Sequence, residues 1–160
     1  MTDQTPKLAY EDFTPGLKLP FGPRMVSKEE IIEFASEFDP QPFHLDEDAG
    51  KASVLGGLAA SGWHTMSLFM RMIWEAYLKD STSQGSPGID FNRWKRPVLA
   101  GDTLSGVSTV LSRRRSKSMP RVGFLTVYNE IVNQRGEVVC ETQHTAMVAL
   151  RNPEAQGDVA

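Results

Sequence analysis

The chain has 160 residues, of which 40% are hydrophobic and 23% charged, and it carries a formal net charge of −3. This size and composition indicate one folded domain and exclude a disordered chain, and the negative charge argues against a general nucleic-acid binder. A single cysteine, Cys140, excludes an internal disulfide framework and favours a reducing compartment, which predicts a cytoplasmic protein.

The N-terminal segment, residues 1–24, is rich in proline and glycine and is predicted to be extended chain with turns, without a secretory signal. A capping box then begins a helix at Ser27, because the Ser27 hydroxyl and the Glu30 carboxylate can each accept a hydrogen bond from the other's backbone amide. Pro40 ends this helix, since the residue before a proline avoids the α region. A second short helix is expected near Asp46.

The next predicted helix runs from Thr65 to Lys79 and is mainly apolar except for a stripe of charged residues at helical spacing, which Arg71 and Glu75 begin. A helix with so narrow a polar stripe must be enclosed over most of its circumference, which implies a sheet around it. The apolar stretch at 54–70 is broken by glycines and polar residues, so no membrane span is expected.

The second half of the chain supplies four strand candidates, at residues 89–98, 103–113, 121–133 and 137–150. A hairpin turn at 134–136 joins the last two. Helices followed by antiparallel strands indicate an α+β fold rather than alternating βαβ units. We expect one domain over residues 25–151 and a disordered tail at 152–160.

A short segment with two prolines separates an acid from a histidine and is predicted to form a rigid turn. Pro40 and Pro42 fix the backbone between Asp39 and His44. An acid and a histidine that address one water molecule are the usual parts of general acid–base catalysis. The alternative is that Asp39 only ends a helix and that His44 is an ordinary loop residue.

The predicted long helix is preceded by a second candidate, the sequence ASGWHT at residues 60–65. Gly62 lets a ligand approach the backbone closely, and free amides at a helix N-terminus attract negative charge, as in an oxyanion hole. The alternative is that Ser61 or Thr65 caps the helix and that Gly62 only relieves crowding.

Together these segments resemble the MaoC-like dehydratases and (R)-specific enoyl-CoA hydratases. The resemblance rests on the Asp-x-x-Pro-x-His pattern at 39–44, on Gly62, on the buried helix, and on the sequence KRPVLAGDTL at 95–104. It covers roughly Met25 to Leu150. It implies the hot-dog fold, an antiparallel sheet wrapped around a long helix, and the reversible hydration of a trans-2-enoyl thioester to a 3-hydroxyacyl thioester.

The resemblance also implies roles for single residues. Asp39 and His44 match the catalytic acid–base pair, and Gly62 matches the glycine whose backbone amide polarises the thioester carbonyl. The hydratase signature usually has asparagine where this chain has Gln41. The residues near these three that we expect to contact the substrate are Gln41, Ser61, Trp63 and His64, although a structural role beside Trp63 is the alternative for His64.

Two basic clusters are candidates for binding the phosphates of coenzyme A or the acidic surface of an acyl carrier protein. One is formed by Arg93, Lys95 and Arg96, and the other spans residues 113–117. The alternative for both is a solvated surface. No metal site is expected, because the three histidines are isolated from one another and from the cysteine, and no cofactor is expected beyond a coenzyme A thioester as substrate.

Two rival functions stay open at this point: a hot-dog acyl-CoA thioesterase, and a non-catalytic acyl-CoA-binding subunit. The expected partners are an acyl-CoA or acyl-carrier thioester and a second copy of the chain, because a lone hot-dog sheet exposes an edge and a face that pairing would hide. Neither nucleic acid nor a membrane is expected as a partner.

Overall fold

A computed structural model describes residues 7–155. The α-helices are α1 (Lys28–Phe38), α2 (Pro42–Leu45), α3 (Glu47–Ala52) and α4 (Gly62–Ala76). The strands are β1 (Lys18–Met25), β2 (Gly88–Trp94), β3 (Thr103–Arg115), β4 (Val122–Val132) and β5 (Val138–Ala149). Short 3-10 turns occur at Tyr10–Asp12 and Leu78–Asp80.

The five strands form one antiparallel sheet in the order β1-β3-β4-β5-β2, with β1 and β2 at its edges. One face of α4, carrying Leu68, Phe69 and Met72, belongs to the same core cluster as inward residues of the strands such as Val110 and Ile131. The sheet therefore wraps around a central helix. This confirms the α+β, hot-dog fold.

The two expected helix starts follow from their local sequence. The Ser27 hydroxyl accepts the N–H of Glu30 at 3.2 Å and begins α1, and the Asp46 carboxylate accepts the N–H of Ala49 at 2.8 Å and begins α3. The capping box is only half formed, because the Glu30 carboxylate pairs with Arg24 at 3.4 Å rather than with the backbone of Ser27. As predicted, α1 ends just before the two prolines.

The central helix differs from its prediction in position and enclosure. It begins and ends three residues earlier than expected, at Gly62 and Ala76. One flank is exposed in the single chain and includes the apolar side chains of Trp63, Met70 and Trp74. The prediction of enclosure around most of the helix is therefore wrong for this flank.

The N-terminal segment belongs to the folded unit. Its strand β1 pairs with β3, so the expected division between residues 24 and 25 falls at the end of a strand. Tyr10 and Phe13 lie in the core, each about 2% exposed. Pro20 and Pro23 made this segment look like turns, but an edge strand tolerates proline because one side of its backbone needs no partner.

The start of the C-terminal tail is held against the domain. The N–H of Asn152 donates to the Glu11 carboxylate at 2.9 Å, and the Arg115 guanidinium donates to the carbonyls of Pro153 and Ala155. The expectation of a disordered tail is therefore wrong for residues 152–155, and the rest of that expectation, residues 156–160, lies outside the described residues.

One row of side chains across the inner face of the sheet is polar. Ser108, Asn129, Thr142 and Asn92 lie side by side on β3, β4, β5 and β2. Ser108, Asn129 and Thr142 are each at most 1% exposed. Within the described part of the chain, Asn129 Oδ1 and Asn92 Nδ2 have no hydrogen-bond partner. We call these four residues the polar row.

Candidate active site

Asp39 and His44 meet at the turn between α1 and α2. Pro42 occupies the first turn of α2, where the N–H that proline lacks would have no partner within the helix. The helix can therefore begin at Pro42, and His44 lies in its last turn. His44 Nε2 lies 3.3 Å from Asp39 Oδ2. The structure thus brings together the acid and the histidine that the sequence singled out.

The proton on His44 can be assigned from its second nitrogen. His44 Nδ1 lies 2.6 Å from the carbonyl oxygen of Ala59. A carbonyl only accepts hydrogen bonds, so Nδ1 carries the proton and, in the neutral ring, Nε2 is the basic nitrogen. That basic nitrogen faces the Asp39 carboxylate. Two acceptors therefore face one another, and a proton donor such as water is the group that would satisfy both.

The Asp39 carboxylate is held by two donors. Gln41 Nε2 donates to Asp39 Oδ1, and the Ser61 hydroxyl donates to Asp39 Oδ2, both at 2.7 Å. Burial raises the pKa of Asp39, but these two hydrogen bonds, together with the nearby His44, outweigh it and bring the pKa below its ordinary value. Asp39 is therefore a carboxylate at neutral pH and accepts protons or hydrogen bonds there.

Ser61 therefore holds the Asp39 carboxylate in position. It occupies the N-cap position of α4, yet its side chain makes no capping hydrogen bond to that helix. The fully buried hydroxyl points at Asp39 instead. The capping alternative considered for Ser61 is wrong.

Gly62 begins α4 beside this pair. The first N–H groups of a helix have no acceptor within the helix, so the Gly62 amide points outward at the helix N-terminus. The indole of Trp94 lies directly over Gly62, and its Nε1–H donates to the Gly62 carbonyl at 3.1 Å. A Cβ at this position would lie 2.5 Å from Trp94 Cε2, so any larger residue would displace the indole from Gly62.

A cavity of about 320 Å³ contains these groups. The sequence-predicted residues that line it are Asp39, Gln41, His44, Gly62, Trp63 and Arg96. Phe43 and Trp94 also line the cavity, and the sequence reasoning missed both. Trp94 directly precedes the basic cluster that was singled out, but nothing in that spacing shows that its ring reaches Gly62.

Four predicted substrate contacts, Ser61, His64, Arg93 and Lys95, do not line this cavity. Ser61 is fully buried and contacts Asp39 instead. His64 is 5% exposed and stacks on Phe34, with ring centroids 4.8 Å apart, and burial lowers the pKa of its ring. The structure therefore agrees with the alternative for His64, which was a structural role. Arg93 and Lys95 pair with Glu141 at 3.4 and 3.6 Å, and neither lines the cavity.

The second basic cluster also has a structural role. Arg113 donates to the carbonyls of Tyr10 and Glu11, both at 3.0 Å, and Arg115 holds the start of the tail. The Arg114 guanidinium stacks over Phe124 at 4.5 Å. The N–H of Ser116 also donates to the Val122 carbonyl, at 2.9 Å, so four of the five residues at 113–117 are engaged in contacts within the chain.

A second, larger cavity of about 480 Å³ lies between the exposed flank of α4 and the sheet. Its lining is mostly apolar, and Trp63 lines both cavities. The side chains that reach it from β5 are Thr142, His144, Ala146 and Val148. The two cavities are therefore neighbours on either side of one tryptophan.

Among residues 7–155 no three His, Cys, Asp or Glu side chains come together as metal ligands. In the same range, no helix is long and apolar enough to cross a membrane.

Comparison with known proteins gives the chain its relatives. The family described as "MaoC like domain" matches residues 12–148. A solved MaoC-like dehydratase from Rhodospirillum rubrum is 39% identical, with a TM-score of 0.81 over 90% of this chain and 98% of that one. The uncharacterized protein YdeM of Bacillus subtilis is 29% identical over 88% of this chain and 99% of its own length. The unliganded R-hydratase PhaJ1 of Pseudomonas aeruginosa is 20% identical, with a TM-score of 0.74 over 91% and 88%, and shares the fold.

Proposed function

Since the chain belongs to the MaoC-like domain family, we propose that it catalyses the reversible hydration of a trans-2-enoyl thioester to a 3-hydroxyacyl thioester. Family membership and the dehydratase relative support a hydratase or dehydratase role. The observation that carries the finer proposal is the pairing of an ionised carboxylate with a basic imidazole nitrogen at 3.3 Å in a cavity.

The pair supplies a water-activating site. A water in the cavity that bridges Asp39 and His44 Nε2 can donate one hydrogen to each, which leaves its lone pair free for the substrate. Its oxygen forms a bond to C3, and one of its protons passes to the pair. The electrons of the C2–C3 double bond move towards the thioester oxygen, and the pair returns a proton to C2. Atoms balance without any other reactant.

Gly62 supplies the other half of the proposed site. During addition, negative charge develops on the thioester oxygen. The proposed donor to that oxygen is the Gly62 amide, and its position at the positive end of α4 supports this role. Trp94 donates to the Gly62 carbonyl and so holds the backbone at the start of α4.

Arg96 is the residue proposed to meet the anionic carrier. It is the one Lys or Arg side chain among the residues that line the smaller cavity, and it pairs with Glu137 at 3.2 Å on the surface. A phosphate contact at such an exposed site is screened by salt. We therefore expect Arg96→Gln to raise KM and to weaken the dependence of KM on ionic strength. The control is Lys95→Gln, next to it but outside the cavity.

A second copy of the chain is the proposed partner. It would cover the exposed apolar flank of α4, which carries Trp63, Met70 and Trp74, and the outer edge of β2, which pairs with β5 on one side only. Sedimentation of the purified protein tests this. A monomer at all concentrations would contradict it.

The test of the reaction is a spectrophotometric assay of trans-2-enoyl-CoA substrates from short to long chain. Loss of enoyl absorbance without release of free thiol is expected, and Asp39→Asn and His44→Ala should each lower the rate by at least about a hundredfold. Release of free thiol would instead support the thioesterase, and tight acyl-CoA binding without turnover would support the binding subunit. Wild-type rates in both variants would refute the proposed roles.

A further inference from the structure

The larger cavity contains a polar group that the proposed hydration does not use. His144 lies on β5 and lines this mostly apolar cavity beneath the flank of α4. Its neighbours on the same face of the strand are Thr142 of the polar row and the apolar Ala146. Buried polar groups are normally hydrogen-bonded, so the partners of the His144 ring show which of its nitrogens is already engaged.

Asn129 determines which nitrogen of His144 carries the proton. Asn129 Nδ2 lies 3.2 Å from the carbonyl oxygen of Thr142, which only accepts, so this end of the amide is the NH₂ group. The same NH₂ lies 3.1 Å from His144 Nδ1. Nδ1 is therefore the acceptor, and Nε2 carries the proton of the neutral ring.

The Nε2–H has no acceptor within the described residues, although the ring is partly buried. It is therefore the ring nitrogen that remains available to a group bound in the cavity that His144 lines. Burial lowers the pKa of His144 against the opposing charge of Asp90, so the ring is neutral at physiological pH. His144 therefore offers a neutral donor in mostly apolar surroundings, and the nearby carboxylate of Asp90 disfavours an anionic ligand.

The spacing along β5 gives a length scale for the path from the smaller cavity to His144. Trp94, which covers Gly62, pairs with Cys140, and His144 lies four residues further along β5. At about 3.3 Å per residue this is roughly 13 Å. Since C–C bonds of about 1.5 Å advance about 1.25 Å each in an extended chain, roughly ten carbons span that distance.

We propose that His144 is a specificity-determining residue that donates, through Nε2–H, to a neutral oxygen near the far end of a medium-length acyl chain. The inference rests on the proposed function, because the acyl chain would pass Trp63 from the smaller cavity into the larger one. The preferred substrate class is thus a trans-2-enoyl thioester with a distal hydroxyl or ketone.

The experiment compares trans-2-dodecenoyl-CoA with analogues that carry one hydroxyl or ketone oxygen near the end of the chain. In the wild type, kcat/KM for the oxygenated chain should be about fivefold to tenfold higher, the effect of one net hydrogen bond. His144→Leu should abolish this preference, and His144→Gln, which keeps a donor near Nε2, should retain part of it. Gln143→Leu, a change on the neighbouring residue of β5 that lines neither cavity, should keep it in full.

Several results would overturn the inference. Equal kcat/KM values in the wild type would do so, as would a preference that survives in His144→Leu or a stronger preference for a terminal carboxylate. Binding of saturated dodecanoyl-CoA and its oxygenated analogues, measured by calorimetry, gives the same comparison without catalysis. If no enoyl-CoA is hydrated, the proposed reaction fails, while the ratio of dissociation constants still tests His144. If His144→Leu does not fold, the wild type and His144→Gln decide.

Discussion

Replacement of Ser61 by alanine tests whether the Asp39 carboxylate is held in its ionised state by its neighbours. The Ser61 hydroxyl is fully buried and donates to Asp39 Oδ2 at 2.7 Å. A hydrogen bond to a charged group contributes about 1.5–3 kcal/mol, which corresponds to roughly a tenfold to hundredfold change in rate. Gln41 still donates to the other oxygen, and Asp39 is partly accessible to water, so we expect the lower end: a loss of about tenfold in kcat/KM.

The pH dependence distinguishes this electrostatic role from simple packing. Without the Ser61 donor the pKa of Asp39 should rise, so the acid limb of the kcat/KM profile should move to higher pH. Stability gives a second readout. Because the pKa of Asp39 is lowered in the folded protein, its contribution is present above the ordinary pKa of aspartate and is lost as pH falls through the folded value. Ser61→Ala should therefore destabilise more at neutral pH than in acid.

The matched control is Ser36→Ala, which removes an exposed hydroxyl that bonds only to the Ile32 carbonyl of its own helix. Rates and pH profiles of this variant should equal those of the wild type. If Ser61→Ala lowers kcat/KM with an unmoved acid limb and a pH-independent loss of stability, the reasoning about the carboxylate is refuted, and Ser61 only fills space.

Two further predictions concern parts of the chain away from the reaction. Tyr10→Ala should lower the free energy of unfolding in urea by about 3–5 kcal/mol, because its ring is buried in the core against Gly123; an unchanged value would show that residues before β1 are not part of the folding unit. Burial and the charge of Glu141 raise the pKa of the Cys140 thiol to about 11. A disulfide reagent should therefore label Cys140 slowly in the folded protein and fully in denaturant, and rapid labelling of the folded protein would contradict its buried position.

Features that depend on residues close together in the sequence were predictable. The start of α1 at Ser27, its end before Pro40 and the turn that joins Asp39 to His44 depend on contacts within a few positions. The strands β3 to β5 were found nearly to their ends because their alternating pattern reflects one buried face. The hot-dog fold followed from these elements together with the family resemblance.

Features that depend on contacts between distant residues were not predictable. Trp94 reaches Gly62 only because the sheet curls over the start of α4, and no local pattern encodes that approach. The error at His64 has the same origin. An earlier helix start turns this residue towards Phe34 on α1 and away from the cavity, so nearness to Gly62 in sequence was misleading.

The polar row also limits how the strands can align while the protein folds. A shift of one residue between β4 and β5 would turn the inward side chains outward. A shift of two would keep the faces but separate Asn129 from Thr142, whose carbonyl its amide reaches at 3.2 Å. Each buried polar group left unpaired costs about 1–3 kcal/mol, so misaligned sheets are penalised where a purely apolar face would tolerate them. The row thus serves as a marker of correct strand register, a role in assembly that is independent of any substrate.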